Sequence, residues 1–333
     1  MDASISIVIP LYNVAGYAKK AADSILSQAF QGLEVVLVDD GSTDGSLERF
    51  ADSFAEAEPK AIRQKNQGPG GARNTGIWAA GGEYVMFMDA DDFLLPNALS
   101  QICALIREES PDIVFGHHVL WTEEKGTVKT VSAKTVPPQE PQEVTEFIIS
   151  KQPLVAWGPY KYICRLGFLL ANGLFFETNR LCEDVKWTID LLMAAEKNRS
   201  KISFLPKPFY AYNYRRPGST MNTLGVRRLM DLNSVVSGLV LQFGHRPLIC
   251  RALIRESFFY ANEYCLLPKT DKPQVMESYR DILPLYSYSN FVFHRMAGKL
   301  RNPTLFFLFS AALFSLKILK RWLINIGWVL KGA

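Results

Sequence analysis

SISIVIP (residues 4–10) and LEVVLVDDGSTD (residues 33–44) decide the fold of this 333-residue chain. Each begins with a run of β-branched and aliphatic residues without polar alternation, which is typical of strands covered on both faces of a parallel sheet. Between the two runs, apolar residues recur at helical spacing: Val14, Tyr17, Ala18, Ala21, Ile25 and Leu26. We therefore predict a strand, a helix and a second strand that is parallel to the first.

Similar patterns continue to about residue 120. We predict, in order, helices over residues 44–54 and 70–80, a buried strand over 84–88, a helix over 96–109 and a strand over 112–119. Strands that alternate with helices favour an open, Rossmann-like α/β sheet, in which ligands lie beyond the carboxyl ends of the strands.

The pattern changes twice further along the chain. Residues 122–141 are polar and contain three prolines, so we expect a surface excursion there. The following residues mix aromatics, short strands and a helix at about 184–198, and beyond Val226 helical segments are separated by prolines. We expect one domain over residues 1–222 and a helical region over 223–333.

The overall composition is that of an ordinary folded protein. Hydrophobic residues make up 48% and charged residues 21%, which is too apolar for a disordered chain. The five cysteines include no C-x-x-C pair, so neither a zinc knuckle nor a disulfide framework is indicated. The amino terminus carries Asp2 where a secretory signal has basic residues, so we expect a protein that is not exported.

Two acidic clusters follow predicted strands. VDDGSTD (residues 38–44) and MDADD (residues 88–92) would lie at the same edge of a parallel sheet, where their mutual repulsion calls for a cation or for hydrogen-bond donors. A hard divalent cation such as Mg²⁺ or Mn²⁺ prefers oxygen ligands and leaves positions open for a diphosphate. The alternative is that these residues only form turns and helix caps.

Five segments, in this order, resemble the successive signatures of the GT-A glycosyltransferases. They are ISIVIPLYN (5–13), VDDGSTD (38–44), GPGGARNTG (68–76), FMDADD (87–92) and CED (182–184). The similar group is the large inverting family that contains bacterial polysaccharide and lipopolysaccharide transferases. The resemblance implies a GT-A catalytic domain over residues 1–222, with a nucleotide-sugar-binding half at 1–120 and an acceptor half at 121–222.

The resemblance also implies roles for individual residues. It places Pro10, Tyr12, Asp39 and Asp40 around the base and ribose of a UDP-sugar. It places Arg73 near the nucleotide or diphosphate, Asp89 near the ribose, and Asp91 on a Mn²⁺ or Mg²⁺ ion as the ligand from the D-x-D motif. Further candidates for contact with the diphosphate or the acceptor are Asp92, Glu183, Arg215 and Arg216.

Asp184 is the candidate catalytic residue. In the similar family, the residue at its position is the general base that deprotonates the acceptor hydroxyl as this attacks the anomeric carbon opposite the leaving diphosphate. Attack on that face inverts the configuration, as in inverting glycosidases. The alternative is that Asp184 only caps the helix that follows it.

The carboxyl-terminal segment carries the positive charge of the chain. No acidic residue follows Asp281, whereas seven basic residues do. Residues 304–316 form an apolar run of 13 residues, too short to span the ~30 Å hydrocarbon core, and basic residues and Trp322 and Trp328 follow it. We expect interfacial membrane helices at about 303–331, on the cytoplasmic side of the inner membrane, near a lipid-linked glycan acceptor. Packing against the catalytic domain is the alternative.

Other functions fit the sequence less well. A sugar nucleotidyltransferase needs a Gly-rich, Arg-containing loop directly after the first strand, where this chain has Leu11, Tyr12 and Asn13. A dinucleotide-dependent oxidoreductase needs G-x-G-x-x-G at that same place. The basicity of the tail indicates an anionic membrane surface and not nucleic acid. A catalytically inactive sugar-binding or scaffold protein remains the alternative outside enzymes, and the presence of both Asp91 and Asp184 argues against it.

Overall fold

The computed structural model describes residues 4–28, 30–131, 138, 140–151, 157–214, 225–260, 267 and 270–282. The chain divides into two compact units, residues 1–222 and 223–333.

The first unit alternates strands and helices over its first half. Its strands are β1 (Ile5–Leu11), β2 (Leu33–Asp39), β3 (Lys60–Arg63), β4 (Tyr84–Phe87), β5 (Phe93–Leu94), β6 (Ile113–Thr122), β7 (Gly126–Val131), β8 (Tyr162–Arg165) and β9 (Ile202–Asn213). Its helices include α1 (Ala18–Leu26), α2 (Ser46–Ser53), α3 (Gly68–Ala79), α4 (Ala98–Glu109), α5 (Pro141–Lys151), α6 (Leu166–Ala171) and α7 (Glu183–Asn198).

The described strands form one mixed sheet in the order β3-β2-β1-β4-β8-β6-β9-β5, with β7 paired to β6. Strands β1 to β4 are mutually parallel where they pair, and β6 and β9 run the same way because each is related to β4 through the antiparallel strand β8. Six strands therefore end at a common carboxyl edge. The segments that follow β1, β2 and β4 lie at this edge together with the last residue of β9.

Helices cover both faces of the central strands. On one face, the odd-numbered isoleucines of β1 pack with α1 and α4 in a single buried cluster. On the other face, Val8 of β1 lies against Gly76 of α3. Burial of each such Ile or Val side chain stabilises the fold by roughly 1.5–3 kcal/mol. This double coverage explains why β1 and β2 are apolar without alternation.

The structure extends and corrects the predicted elements. The predicted strands at 4–10 and 33–39 and the helix near 184–198 correspond to β1, β2 and α7. The segment 122–141, expected to be a surface excursion, contains in its first half the largely exposed strand β7, which forms a hairpin with β6. The chain from 202 to 213 is a single long strand and not several short ones.

The second unit is helical where the structure describes it. It contains α8 (Val226–Gln242), α9 (Pro247–Tyr260) and α10 (Lys272–Ile282). Asn233 links the three helices, since its amide accepts from Ser257 Oγ (2.9 Å) and donates to Ser278 Oγ (3.0 Å). None of the helices in the described ranges is both long and apolar enough to cross a bilayer. The segment 303–331, predicted to be interfacial, lies outside the described residues.

The contact between Gly76 and Val8 predicts a measurable effect on stability. A Cβ atom at position 76 would overlap Cγ1 of Val8, so Gly76→Ala should force α3 away from the sheet and lower the free energy of unfolding by about 1–3 kcal/mol. Gly167→Ala on the exposed face of α6 is the matched control, because open space surrounds its Cβ position, and it should leave stability unchanged or raise it. Urea denaturation followed by circular dichroism measures both. Equal effects of the two substitutions would contradict the packing argument.

Candidate active site

Asp39 ends β2 and is fully buried. Its Oδ1 accepts the backbone N–H of Ser42 (3.2 Å), and its Oδ2 accepts the Nε–H of Arg63 (2.9 Å) from the neighbouring strand β3. An ion pair and a backbone donor therefore hold this carboxylate in one orientation at the carboxyl edge. The sequence offered no motif that identified Arg63 as its partner.

Asp40 is buried beside Asp39 and is held by a different set of donors. Its Oδ1 accepts the side-chain amide of Gln64 and the backbone N–H of Gln67, both at 2.8 Å. Because Gln67 directly precedes α3, Asp40 fixes the entry to that helix. The two adjacent carboxylates therefore face two different elements, β3 and α3.

Tyr12 lies on an exposed loop beside these carboxylates, and 54% of its surface is accessible. The next residue, Asn13, adopts a left-handed conformation (φ 52°) that two bonds to the loop after β2 stabilise. Its N–H donates to Ser42 Oγ (3.0 Å), and its Oδ1 accepts the N–H of Thr43 (2.9 Å). Pro10 is half-buried at the end of β1. The loops after β1 and β2 therefore form one hydrogen-bonded rim with an aromatic ring open to solvent.

The acidic turn 89–92 follows β4 at the same edge. Asp92 is buried, and β9 holds it: Tyr210 Oη donates to Asp92 Oδ2 (2.6 Å), and the backbone N–H of Asn213 donates to Oδ1 (2.7 Å). Tyr210 Oη also accepts the N–H of Asp89 (3.1 Å), and Asn213 Nδ2 donates to the Asp91 carbonyl oxygen (3.2 Å). Two residues of β9 therefore set the shape of the whole turn.

The electrostatics of this turn favour a cation. Burial raises the pKa of Asp92 well above its usual range, and the neighbouring charges of Asp91 and Asp89 raise it further. Ionised carboxylates at this turn therefore repel one another, and a nearby cation would relieve that repulsion. In the part of the chain that the structure describes, no cluster of three or more His, Cys, Asp or Glu side chains could hold a metal by itself. A divalent ion bound here would take half-buried Asp91 as a ligand and complete its shell with a substrate and water, which suits Mg²⁺ and Mn²⁺.

Arg73 of α3 is buried between the acidic turn and α7. Its Nη2 donates to Asp89 Oδ1 (2.8 Å), and its Nη1 donates to Glu183 Oε1 (2.6 Å). The resemblance placed Arg73 near the nucleotide and Glu183 near the diphosphate or acceptor; in the structure these two side chains bind each other. Glu183 is the first residue of α7, so the guanidinium connects the turn that ends β4 to the start of that helix.

Asp184 is the second residue of α7 and is half-buried. The N-cap position belongs to Cys182, which is left-handed (φ 61°), so the expectation that Asp184 could be the N-cap residue is wrong. Its Oδ1 accepts the N–H of Val185 (3.0 Å). The charge of Asp184 helps to raise the pKa of Arg73, so the Asp184 carboxylate lies near the Arg73 guanidinium that connects the acidic turn to α7. The amino end of the helix dipole also favours the ionised carboxylate.

Aromatic side chains anchor α7 to the rest of the first unit. Trp187 is buried and stacks on Phe176 at 4.6 Å between ring centroids, and both rings meet Phe87 of β4 edge to face. Thr188 Oγ1 donates to the carbonyl oxygen of Trp157 (3.2 Å). This packing ties the first turns of α7 to the strand that carries the acidic turn.

Several residues with possible roles in binding belong to the core. Tyr160 stacks between Tyr210 and Tyr212, with centroid distances of 4.4 and 5.8 Å, and is not available as a sugar platform. His117 and His118 are also buried, and burial together with the charge of Lys161 lowers the pKa of His118 to about 2. Arg215 and Arg216 lie outside the described residues. A groove of about 600 Å³ lies between α1 and β5, and no predicted site residue lines it.

Residues 6–162 match the profile of Glycosyl transferase family 2. The glycosyltransferase GlyG of Streptococcus pneumoniae serotype 4 is 30% identical over 235 residues, which cover 67% of this chain and 74% of GlyG. GlyA of the same organism is 31% identical over 65% of this chain, and the aligned part spans only 31% of GlyA. An uncharacterized glycosyltransferase of Bacillus subtilis, EpsJ, is 30% identical over 68% of this chain and 65% of its own length.

Solved structures show the same fold. S. aureus TarS 1–349 in complex with UDP-GlcNAc superposes with a TM-score of 0.74 at 19% identity, over 94% of this chain and 92% of that chain. The mannosyltransferase PcManGT of Pyrobaculum calidifontis, in complex with GDP-Man and Mn²⁺, superposes with a TM-score of 0.54 at 16% identity, over 94% of this chain and 87% of that chain. The predicted α/β, GT-A-like architecture is confirmed. With its family profile and its similarity to GlyG, the chain belongs to glycosyl transferase family 2.

Proposed function

We propose that this protein is an inverting glycosyltransferase that moves a sugar from a UDP-sugar to a hydroxyl group of a glycan acceptor in the synthesis of a bacterial surface polysaccharide. The observation that carries the proposal is the position of Arg73, which contacts both Asp89 of the acidic turn and Glu183 beside Asp184. The turn suited to a sugar nucleotide and the candidate base therefore belong to one site at the carboxyl edge.

The donor assignment rests on the rim formed by the loops after β1 and β2. Asp39 and Asp40 are oriented carboxylates, and a carboxylate accepts the N3 hydrogen that uracil offers. Tyr12 presents an exposed ring on which a flat base stacks. The UDP-GlcNAc complex of TarS supports a UDP-sugar over the GDP-sugar bound by PcManGT.

A Mn²⁺ or Mg²⁺ ion on Asp91 is part of the proposal. The repulsion between the carboxylates of Asp91, Asp89 and Asp92 and the half-buried position of Asp91 fit such an ion, and the Mn²⁺ complex of PcManGT supports it. When bound, the ion neutralises charge on the departing diphosphate.

Asp184 supplies the base in the proposed reaction. Its carboxylate takes the proton of the acceptor hydroxyl while the hydroxyl oxygen forms a bond to the anomeric carbon and the bond from that carbon to UDP breaks. Attack from the face opposite UDP inverts the anomeric configuration, and it requires one base without a protein nucleophile. Glu183 directs its carboxylate to Arg73, so of the two adjacent acids Asp184 is the one assigned to the acceptor side.

The membrane assignment rests on the composition of the carboxyl-terminal segment. We place the protein on the cytoplasmic side of the inner membrane, held peripherally through residues 303–331, where a polyprenyl-linked or lipid-linked glycan would be its acceptor. Four basic residues (Lys317, Lys320, Arg321 and Lys331) and two tryptophans accompany an apolar run there, without an acidic residue. This combination is typical of segments that lie in the interface with anionic lipid.

A UDP-release assay tests the proposed function as a whole. Purified protein with Mn²⁺ or Mg²⁺ is supplied with a panel of UDP-sugars, with GDP-mannose for comparison, and with lipid-linked glycan acceptors. We expect UDP release with at least one UDP-sugar, increased by the right acceptor, and a product whose anomeric configuration is inverted in NMR spectra. Binding of UDP-sugar without any release under these conditions would favour an inactive sugar-binding protein.

Asp91→Asn should abolish metal-dependent transfer. The substitution removes one carboxylate ligand and its charge where the diphosphate must be neutralised. We expect EDTA to silence the wild-type enzyme and Mn²⁺ to restore it, whereas Asp91→Asn stays inactive at the same Mn²⁺ concentration. Asp23→Asn, which alters an exposed residue of α1, is the matched control and should keep wild-type activity. Full turnover in chelator would remove the metal from the mechanism.

Asp184→Asn should fold normally and bind UDP but lose most transfer. An amide keeps the shape of the side chain but takes no proton, and loss of a general base typically costs about 10² to 10⁴ fold in rate. Calorimetry measures UDP affinity and the release assay measures kcat. Asp190→Asn is the control on the same helix, since Asp190 pairs only locally with Lys186 (2.5 Å), and it should retain kcat. Near wild-type transfer by Asp184→Asn would exclude it as the base.

Deletion of residues 303–333 should release the protein from anionic vesicles and leave UDP binding intact. Each Lys or Arg near an anionic surface contributes roughly 1 kcal/mol, so a triple variant of Lys317, Lys320 and Arg321 to Gln should already weaken binding, and high salt should do the same to the wild type. Vesicle sedimentation and calorimetry with UDP measure the two properties. The membrane assignment would be wrong if the truncated protein lost UDP binding and the full-length protein did not sediment with vesicles. The segment would then belong to the core of the fold.

A further inference from the structure

Arg73 lies between the donor side and the acceptor side of the proposed site. Only 6% of its side chain is exposed, and the two carboxylates it binds belong to the acidic turn and to the first residue of α7. Glu183 is equally buried, with 7% of its side chain exposed, whereas Asp89 is 30% exposed. These three side chains form a carboxylate–guanidinium–carboxylate bridge. Its bond to Glu183 is buried, and its bond to Asp89 lies on the side of the proposed donor site.

The charges of this bridge depend on one another. Burial opposes ionisation of Arg73, but Asp89 and Glu183 together raise the pKa of Arg73 above its ordinary value. Burial also raises the pKa of Glu183, and Arg73 opposes that shift. Loss of Arg73 would leave Glu183 as a buried charge without its main compensation, and loss of Glu183 would remove one of the two carboxylates that bind Arg73. The position of α7 therefore depends on the pair.

Neighbouring residues of α3 hold the chain that leads into α7. Asn74 makes two bonds to the backbone of Phe176: its Nδ2 donates to the carbonyl oxygen (2.9 Å), and its Oδ1 accepts the N–H (2.8 Å). Gly70 has no side chain where a Cβ would reach the Glu177 carbonyl oxygen and would lie 3.1 Å from Glu183 Cγ. Helix α3 therefore fixes the position of the segment that leads to Asp184, through these hydrogen bonds and this close packing.

We propose that Arg73 and Glu183 are a positioning pair, which fixes the Asp184 carboxylate relative to a donor bound at the acidic turn and does not itself bind the substrate. This inference rests on the proposed function. It differs from the roles implied by the family resemblance, in which Arg73 contacts the nucleotide or diphosphate and Glu183 contacts the diphosphate or acceptor. The physical reason is that a catalytic group displaced by about 1 Å loses roughly 10² fold in rate.

The test compares Arg73→Gln, Arg73→Lys, Glu183→Gln and the double variant Arg73→Gln with Glu183→Gln. We expect Arg73→Gln and Glu183→Gln to lower kcat by roughly 10–100 fold while the KM for the UDP-sugar stays within about threefold. The double variant should be no slower than the slower single variant, because residues that act as one unit are not additive. Arg73→Lys should recover part of kcat, since an ammonium keeps the charge but lacks the planar fork that reaches both carboxylates.

Arg165→Gln is the matched control. Arg165 also joins two carboxylates from different elements, Glu83 and Asp112, but these precede β4 and β6 at the opposite edge of the sheet. Its loss should lower the thermal midpoint without changing kcat. A similar loss of stability in the Arg73 and Arg165 variants, accompanied by a fall of kcat in the Arg73 variant alone, separates positioning from general support of the fold.

Three results would overturn the inference. A large rise in donor KM with kcat unchanged would make Arg73 a substrate ligand, and so would additive losses in the double variant. Wild-type kcat in Glu183→Gln would show that Glu183 has no role in catalysis. Because this variant keeps the Arg73–Asp89 pair, it tests the positioning role even if Arg73→Gln does not fold. If the wild type transfers sugar and Glu183→Gln equals it, this inference alone fails. If the wild type releases no UDP from any sugar donor, the proposed function fails and the inference fails with it.

Discussion

Acidic side chains crowd the carboxyl edge of the sheet, and the site depends on how their mutual repulsion is balanced. Each buried carboxylate has fixed donors: Arg63 and Ser42 for Asp39, Gln64 and Gln67 for Asp40, Tyr210 and Asn213 for Asp92, and Arg73 for Glu183. These donors come from strands and helices on every side of the edge, so balancing the charges also joins the elements. Arg73 joins the two halves of the proposed site, because it binds Asp89 of the acidic turn and Glu183 of α7.

This arrangement prepares the edge before any substrate arrives. A site built from oriented groups in a buried setting needs little reorganisation when charge moves during the reaction. Asp91 and Asp184, the residues assigned to the metal and to the acceptor, are both half-buried, whereas their neighbours Asp92 and Glu183 are buried and bonded. In each acidic pair, the buried member shapes the backbone and the more accessible member remains in reach of a substrate.

The sequence predicted the parts of this site that depend on local pattern. The apolar runs of β1 and β2, the acidic turn after β4 and the helix after Cys182 follow from residue types at regular spacing. Long-range contacts left no such signal: Tyr210 and Asn213 lie about 120 residues from the turn they shape, and they belong to a strand whose pattern is broken by Pro206 and Pro208. The burial of Arg73 could not be predicted from the sequence either, because a charged side chain is expected either on the protein surface or in contact with a substrate.

The sequence of helix α3 nevertheless contains a signal that Arg73 lies in a closely packed part of the fold. GPGGARNTG is a poor helix sequence: each interior glycine is less favourable than alanine by roughly 0.5–1 kcal/mol, and Gly70, Gly71 and Gly76 all lie within α3. Tertiary contact offsets this cost, since a Cβ at Gly70 would meet the segment before α7 and one at Gly76 would meet β1. A segment that contradicts its own local preference indicates a close approach that function requires. The glycines let α3 lie against both the sheet and the chain leading to Asp184, and Arg73 lies between them.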